Sequence, residues 1–359
     1  MKIRILGSSL AALKEWFVSK GKKNFNATQV FEWLFKKGEP DFAKMTNLSL
    51  EVRTLMAQEL DVGLLELVRM QESDDKETIK FLWKLHDDKL VESVLIMSGD
   101  RRTVCVSSQV GCPARCAFCA SGRQGLIRNL ETYEILAQVY QIDLWLKKRE
   151  ETVSHVVYMG MGEPFRNYES VVASVRYLIN PDFMGLSQRR ITVSTVGVVE
   201  GIERFTNEGL KVNLVLSLHA PNQKLRQKVI PYAREYALET ILGAMWRYAD
   251  VTGRDVTFEY TLLKGINDGE EQAKELALLL KGKQCTVNLI PYNPVDGLRL
   301  EKPTSQAVEA FREVLEKAKI VNTCRYTKGD DIAAACGQLA MQDIATFKRD
   351  EPTLKVVNM

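Results

Sequence analysis

The order of apolar and polar positions divides the 359-residue chain into three kinds of text. Residues 26–38 repeat apolar side chains at helical spacing, with Val30, Phe31, Leu34 and Phe35 on one stripe. Asn26 is placed to cap this stretch, Gln29 to reach back from the third helical position, and Gly38 with Pro40 to end it. A small helical domain over residues 1–60 is therefore expected. From residue 64 to 106 the period changes to strand-like alternation, in 78–85, 90–97 and 103–107, which predicts a short antiparallel, β-rich connector over 61–100.

Farther on, short β-branched runs at 154–158, 190–195, 212–218, 256–262 and 286–290 alternate with helical stretches such as 130–146 and 270–280. Such a βα rhythm predicts an α/β fold built on a parallel sheet. Five or six units are fewer than a closed eight-unit barrel needs, so an open, partial parallel β/α barrel over 101–342 is expected. The charged, polar text at 343–359 reads as a flexible tail.

Composition narrows the function classes. The chain is 45% hydrophobic and 26% charged, as in an ordinary soluble protein, and no apolar run approaches the roughly 20 residues of a membrane helix. Near the start, the apolar run at 10–13 is cut off by Lys14 and Glu15, which reads as a surface helix rather than a signal peptide. Seven cysteines, an odd number, argue for reduced thiols in the cytoplasm and against a disulfide scaffold. The net charge is only +3, but residues 1–60 hold ten Lys and Arg against six Asp and Glu, so the basic surplus sits there. On charge alone that surplus is a solvated surface.

The most specific feature is GCPARCAFCASG at 111–122, which spaces Cys112, Cys116 and Cys119 as C-x3-C-x2-C. Three thiolates on one loop can hold three corners of a 4Fe-4S cluster and leave one iron open to a small molecule. A structural zinc site would want a fourth ligand, and Cys105, seven residues upstream, could supply it. If the barrel is real, ligand groups should stand past the C-terminal ends of its strands. GMGEP at 160–164, Ser194, Ser217 with His219, and Asn293 all fall there, although each alone reads as a turn, a cap or a satisfied histidine.

The motif C-x3-C-x-F-C, with Phe118 before the last cysteine, resembles the signature of radical S-adenosylmethionine (SAM) enzymes. CVSSQVGC at 105–112 and GDDIAAACGQL at 329–339 resemble the RlmN/Cfr family of radical SAM RNA methyltransferases in particular, with the C2-methylating branch favoured. The likeness runs from Gln29 to Leu339 and departs at IPYAR, 230–234, where the family usually reads Pro-Ile-Asn.

That resemblance implies a 4Fe-4S cluster on Cys112, Cys116 and Cys119, and a SAM pocket made by Gly162, Glu163, Ser194, Ser217, Leu218, His219 and Asn293. It implies two SAM molecules per turnover: one methylates Cys336, and the other yields the radical that activates that methyl toward adenine. Glu92 matches the proton acceptor and Cys105 the thiol that releases the product, leaving a Cys105 to Cys336 disulfide. Read from its own strand, Glu92 would face solvent, and Cys285 and Cys324 are left as core residues. The implied partners are 23S ribosomal RNA, a tRNA adenine 3′ of the anticodon, and an electron donor such as flavodoxin or ferredoxin, with the enzyme acting as a monomer. Basic pairs Lys22-Lys23, Lys36-Lys37, Arg101-Arg102 and Arg189-Arg190 could meet phosphates. Three alternatives remain open: a C8-adenine methyltransferase, a zinc-stabilised RNA-binding module without catalysis, and a thiol-disulfide regulator using Cys105 and Cys336.

Overall fold

The computed structural model describes residues 2–325 and 328–339, so the tail expected at 343–359 lies outside the described residues. Ten strands form one sheet: β1 (Glu66–Glu72), β2 (Thr78–Lys84), β3 (Leu90–Ser98), β4 (Arg101–Cys105), β5 (His155–Tyr158), β6 (Ile191–Thr195), β7 (Asn213–Ser217), β8 (Val256–Leu262), β9 (Cys285–Pro291) and β10 (Val321–Cys324). Their spatial order is their chain order, and β1 and β10 are the two open edges. From β1 to β4 neighbours run antiparallel, and from β4 to β10 they run parallel. The sheet is thus the open, partial β/α barrel expected, extended on one side by an antiparallel apron.

Two details depart from the sequence reading. The β4 segment, read as an antiparallel lead-in, is also the first parallel strand, because it pairs with β3 on one side and β5 on the other. At the far edge, β10 carries only VNTC and alternates exposed with half-buried positions, too short and too polar to signal a strand. The parallel half therefore has seven strands rather than five or six.

Period-2 alternation explains how this half holds together. Ile191, Val193, Leu214, Leu216, Val256, Phe258, Tyr260, Leu262, Val287 and Leu289 are fully buried in the main core. Helices Tyr168–Ile179, Val199–Thr206, Leu238–Thr252, Glu270–Leu279 and Ser305–Lys317 contribute buried apolar residues to the same core. Each such burial contributes about 1.5–3 kcal/mol, so this apolar face stabilises the sheet. The alternate face is polar: Ser217, Glu259, Asn288 and Thr323 stand in register across β7 to β10.

The N-terminal helical unit belongs to that same core. Helix Leu10–Ser19 buries Leu13, Trp16 and Phe17, so it is more than the surface helix expected. The next helix, Phe25–Phe31, starts with Asn24 at the cap position, and Asn26 donates to the Gln29 side chain instead (3.0 Å). It continues as a π-helical turn, Glu32–Lys37, and ends at Gly38 with φ 70°, where a left-handed backbone favours glycine. Phe35 packs edge-on against Phe183 at 4.5 Å, while Tyr140 Oη and Lys147 Nζ donate to the carbonyls of Leu34 and Phe35. Lys22 is paired with Glu51, and Lys37 lies over the Trp33 ring at 3.8 Å. Among the described residues no helix is long and apolar enough to cross a membrane.

Candidate active site

The site lies at the C-terminal ends of the parallel strands, where a second apolar cluster of Cys112, Ala114, Phe118, Val196, Ala220, Val229, Ile230, Ala233, Leu263 and Tyr292 receives Cys116 and Cys119. The thiol loop is entered through a two-stranded ribbon, Gln109–Gly111 with Leu126–Asn129. At Gly111 (φ 76°) a Cβ would fall 1.9 Å from the Gly125 carbonyl, so only glycine permits this crossing. Cys119 then caps the short helix Ala120–Arg123, and Ala117 N–H donates to Val229 O at 2.9 Å.

All three thiols are pushed above their ordinary range, each first by burial. Cys112 rises to about 12, and Cys116 is held well above its ordinary range by burial first, with Cys119 and Cys112 adding. Burial favours the neutral thiols, and metal binding reverses that preference by holding sulfur as thiolate. Among the described residues no group of three or more Cys, His, Asp or Glu side chains is drawn together as a metal site. The loop carries three soft thiol donors along an apolar wall, a donor type suited to iron and sulfide.

Next to the thiols, Glu163 is 2% exposed and its carboxylate is fully engaged. It accepts from Thr195 Oγ1 (2.8 Å), Phe165 N–H (3.0 Å) and Val196 N–H (2.8 Å), while burial still holds its carboxyl above the usual range. The side chain thus fixes GMGEP against the end of β6, and what the motif presents outward is backbone. Gly162 (φ 113°) has no room for a Cβ, which would meet Ser108 Oγ at 2.7 Å.

Ser194 and Ser217 hydroxyls are 3.2 Å apart across β6 and β7. His219 follows with φ 52°, and its Nδ1 accepts from Thr261 N–H at 2.9 Å, so in the neutral ring the proton sits on Nε2. Burial, and then Arg226, lower this histidine to about 3. The Phe118 ring meets it edge-on at 4.8 Å. His219 is a fixed neutral donor and not a titrating acid.

The segment 329–339 is stapled over the thiol loop. Ala120 N–H donates to Gly337 O (2.8 Å), Ser121 Oγ to Leu339 O (2.5 Å) and Asn293 Nδ2 to Cys336 O (3.1 Å). From the antiparallel apron, Lys80 Nζ reaches Ala333 O (3.3 Å), and Asp331 accepts from Asp74 N–H (2.8 Å). Cys336 as a residue is exposed, yet crowding of its sulfur, with Glu259 adding, pushes the thiol up to about 11. Cys105, buried at the end of β4, is raised by burial and next by Cys336, and Glu259 and Arg325 also lie within its field.

Two expectations need correction. Glu92 does not face solvent: it is 2% exposed and pairs with Lys80, itself 4% exposed, at 3.2 Å. The two stand on neighbouring strands two positions out of register (Leu82 opposite Glu92, Lys80 opposite Val94), which one-strand alternation does not reveal. The Cys105 to Cys336 disulfide is not present either, and all seven cysteines are free. Of the basic pairs, Arg102 is committed to Glu151 through Nε at 2.5 Å and Nη2 at 2.6 Å. Tyr232, in the departing IPYAR segment, accepts from Arg166 Nε at 2.5 Å, so the departure is built into the wall of the site.

Two family descriptions match the chain: the ribosomal RNA large subunit methyltransferase N-terminal domain over residues 3–62, and the radical SAM superfamily over 106–277. A probable dual-specificity RNA methyltransferase RlmN 2 from Protochlamydia amoebophila is 65% identical over 331 residues, 92% of each chain. The chain belongs to the RlmN family of radical SAM RNA methyltransferases. A second RlmN relative, from Fervidobacterium nodosum, is 44% identical over 97% of this chain and all of its own length. A crystal structure of a radical SAM methyltransferase from Sphaerobacter thermophilus superposes with TM-score 0.91 at 42% identity, over 94% of this chain and 99% of that one.

As an RlmN-family enzyme the chain is a radical SAM RNA methyltransferase, and this class implies a 4Fe-4S cluster and SAM. The reading of a zinc-stabilised module without catalysis, which borrowed Cys105 as a fourth ligand, gives way to membership of this enzyme family. Sequence reasoning missed Lys80, Glu259, Arg325 and Arg226, all charged groups of the site. Glu259 was legible in principle as the one charged residue of β8.

Proposed function

We propose that this chain methylates C2 of an adenine in 23S ribosomal RNA, with a tRNA adenine 3′ of the anticodon as a second substrate, through an S-methyl group carried on Cys336. The observation that carries this reading is the stapling of Cys336 beside the thiol loop, with Cys105 as its sulfur neighbour and the Lys80–Glu92 pair under the same segment.

Cys112, Cys116 and Cys119 would hold the cluster, which when bound supplies the electron that cleaves the SAM sulfonium. The backbone of Gly162 and Glu163, the Ser194 and Ser217 hydroxyls, Leu218, His219 Nε2–H and Asn293 would orient the SAM molecule. Cys336 accepts a methyl from one SAM by attack of its sulfur and presents the methyl to the base; a second SAM is used for activation. Glu92, paired with Lys80, takes the ring proton, and Cys105 frees the product from Cys336. A flavodoxin- or ferredoxin-type donor, a cytoplasmic setting and action as a monomer complete the reading.

Anaerobically reconstituted protein should bind iron and absorb broadly near 400 nm, and nucleosides from treated RNA should contain 2-methyladenosine. Cys336→Ala should abolish product, whereas Cys105→Ala should accumulate an enzyme-RNA adduct. Appearance of 8-methyladenosine would move the enzyme to the other branch, and undiminished product from Cys336→Ala would remove the carrier role.

A further inference from the structure

Arg226, in helix Gln223–Val229, is 0% exposed and among the largest fully buried side chains. Its Nε donates to Leu218 O (3.1 Å), and Nη2 donates to Val196 O (2.5 Å) and Ser217 O (3.1 Å). Those three carbonyls terminate β6 and β7, so half of the guanidinium ties the strand ends together. Its Nη1 has no hydrogen-bond partner. No carboxylate forms an ion pair with Arg226 among the described residues, and both oxygens of Glu163 are already taken. The neighbours that favour its charge are Cys116 first and Glu163 second.

An arginine buried without a counter-ion is costly, and carbonyl ligands alone could have been met by a neutral amide. The arrangement makes sense when an anion arrives. A cluster held by three thiolates is a net negative unit and becomes more negative on accepting an electron, and its potential follows nearby charge and hydrogen bonds. The helix that carries Arg226 also accepts the Ala117 N–H of the thiol loop at Val229 O, so cation and ligands are held in one frame.

We propose that Arg226 is a positioning residue for the cysteine-held cluster: it is the buried counter-charge beside Cys116, and it eases reduction of the cluster. The proposal rests on the cluster being bound at Cys112, Cys116 and Cys119. It assigns the positive charge to the cluster rather than to the carboxylate of SAM.

The test compares reconstituted wild type, Arg226→Lys and Arg226→Gln by iron content, by redox titration of the cluster signal in electron paramagnetic resonance without SAM, and by SAM affinity. Arg226→Gln keeps amide donors for the strand ends and loses the charge, whereas Arg226→Lys keeps the charge. At the wild-type midpoint, the reduced-to-oxidised ratio of Arg226→Gln should fall at least tenfold, about 59 mV for one electron, and Arg226→Lys should recover most of that ratio. An unchanged ratio in iron-replete Arg226→Gln overturns the proposal while leaving the proposed function standing. So does a loss of SAM affinity with an unchanged ratio, which would place the charge on the SAM carboxylate. Should both variants lose iron, wild type grown on heavy-nitrogen arginine decides. Coupling of an arginine nitrogen to the reduced cluster supports the assignment, and absence of coupling rejects it. Iron-free wild type would overturn this proposal and the proposed function together.

Discussion

The antiparallel and parallel halves of the sheet place chemistry in different ways. In the parallel half, polar groups gather where strands end: Ser194 on β6, Ser217 on β7 and His219 just beyond it. In the antiparallel half, Glu92 and Lys80 lie within their strands, paired sideways and sealed from water. A parallel strand is covered by its helices on one face, so its polar groups stand on the other face, as Glu259 and Asn288 do, or collect at its tip. An antiparallel strand can keep a charge at mid-length if its neighbour supplies the opposite one. The two halves meet at β4, whose last residue, Cys105, lies within the electrostatic reach of Cys336.

The largest effect that separates the halves should come from Lys80→Met. It leaves Glu92 buried without its cation, which should cost about 3–5 kcal/mol in denaturant unfolding. A cost no greater than that of a surface change would end the contrast. On the parallel side, Glu163→Ala strands three buried donors and should cost about 3 kcal/mol by the same measurement; the loss of SAM affinity should accompany it.

His219 offers a pH test. Its folded pKa is lowered to about 3 from an ordinary 6.5, so below 6.5 the unfolded chain binds the proton first. Stability is complete above that pH and falls as pH drops from 6.5 toward 3. Between pH 7 and pH 5 the wild type should lose about 2 kcal/mol more than His219→Asn, a variant that also tolerates the left-handed backbone. Parallel curves for the two proteins would refute the neutral-donor assignment.

The smallest effect belongs to Lys84, four residues beyond Lys80 on the same strand. Lys84 bridges Glu66 and Asp88 at the surface, where solvent and salt screen the attraction, and Lys84→Ala should leave the unfolding midpoint unmoved. The pair Lys80 and Lys84 thus isolates burial as the variable.

The same contrast explains what the amino-acid order could reveal. Strand ends in the parallel half were legible because β-branched runs stop abruptly before Ser217 and His219, and the thiol loop has a spacing that little else produces. Family resemblance, not periodicity, pointed to Glu92, since alternation within one strand says nothing about a cation on the next. Arg226 was hidden for a similar reason: its partners are carbonyls 8 and 30 positions away in the chain. The edge strand β10 lacked the apolar residues that announce a strand, and the π-helical turn at Glu32–Lys37 has no one-residue signal.

Because spatial order follows chain order across all ten strands, each newly made strand finds its neighbour already waiting as the polypeptide leaves the ribosome. The sheet can grow by simple accretion. Contacts that break this rule include the return of residues 331 and 333 to Asp74 and Lys80, 257 and 253 positions back. Synthesis therefore completes the scaffold first and closes the site last, so that a half-made chain carries Cys112, Cys116 and Cys119 but not yet Cys336.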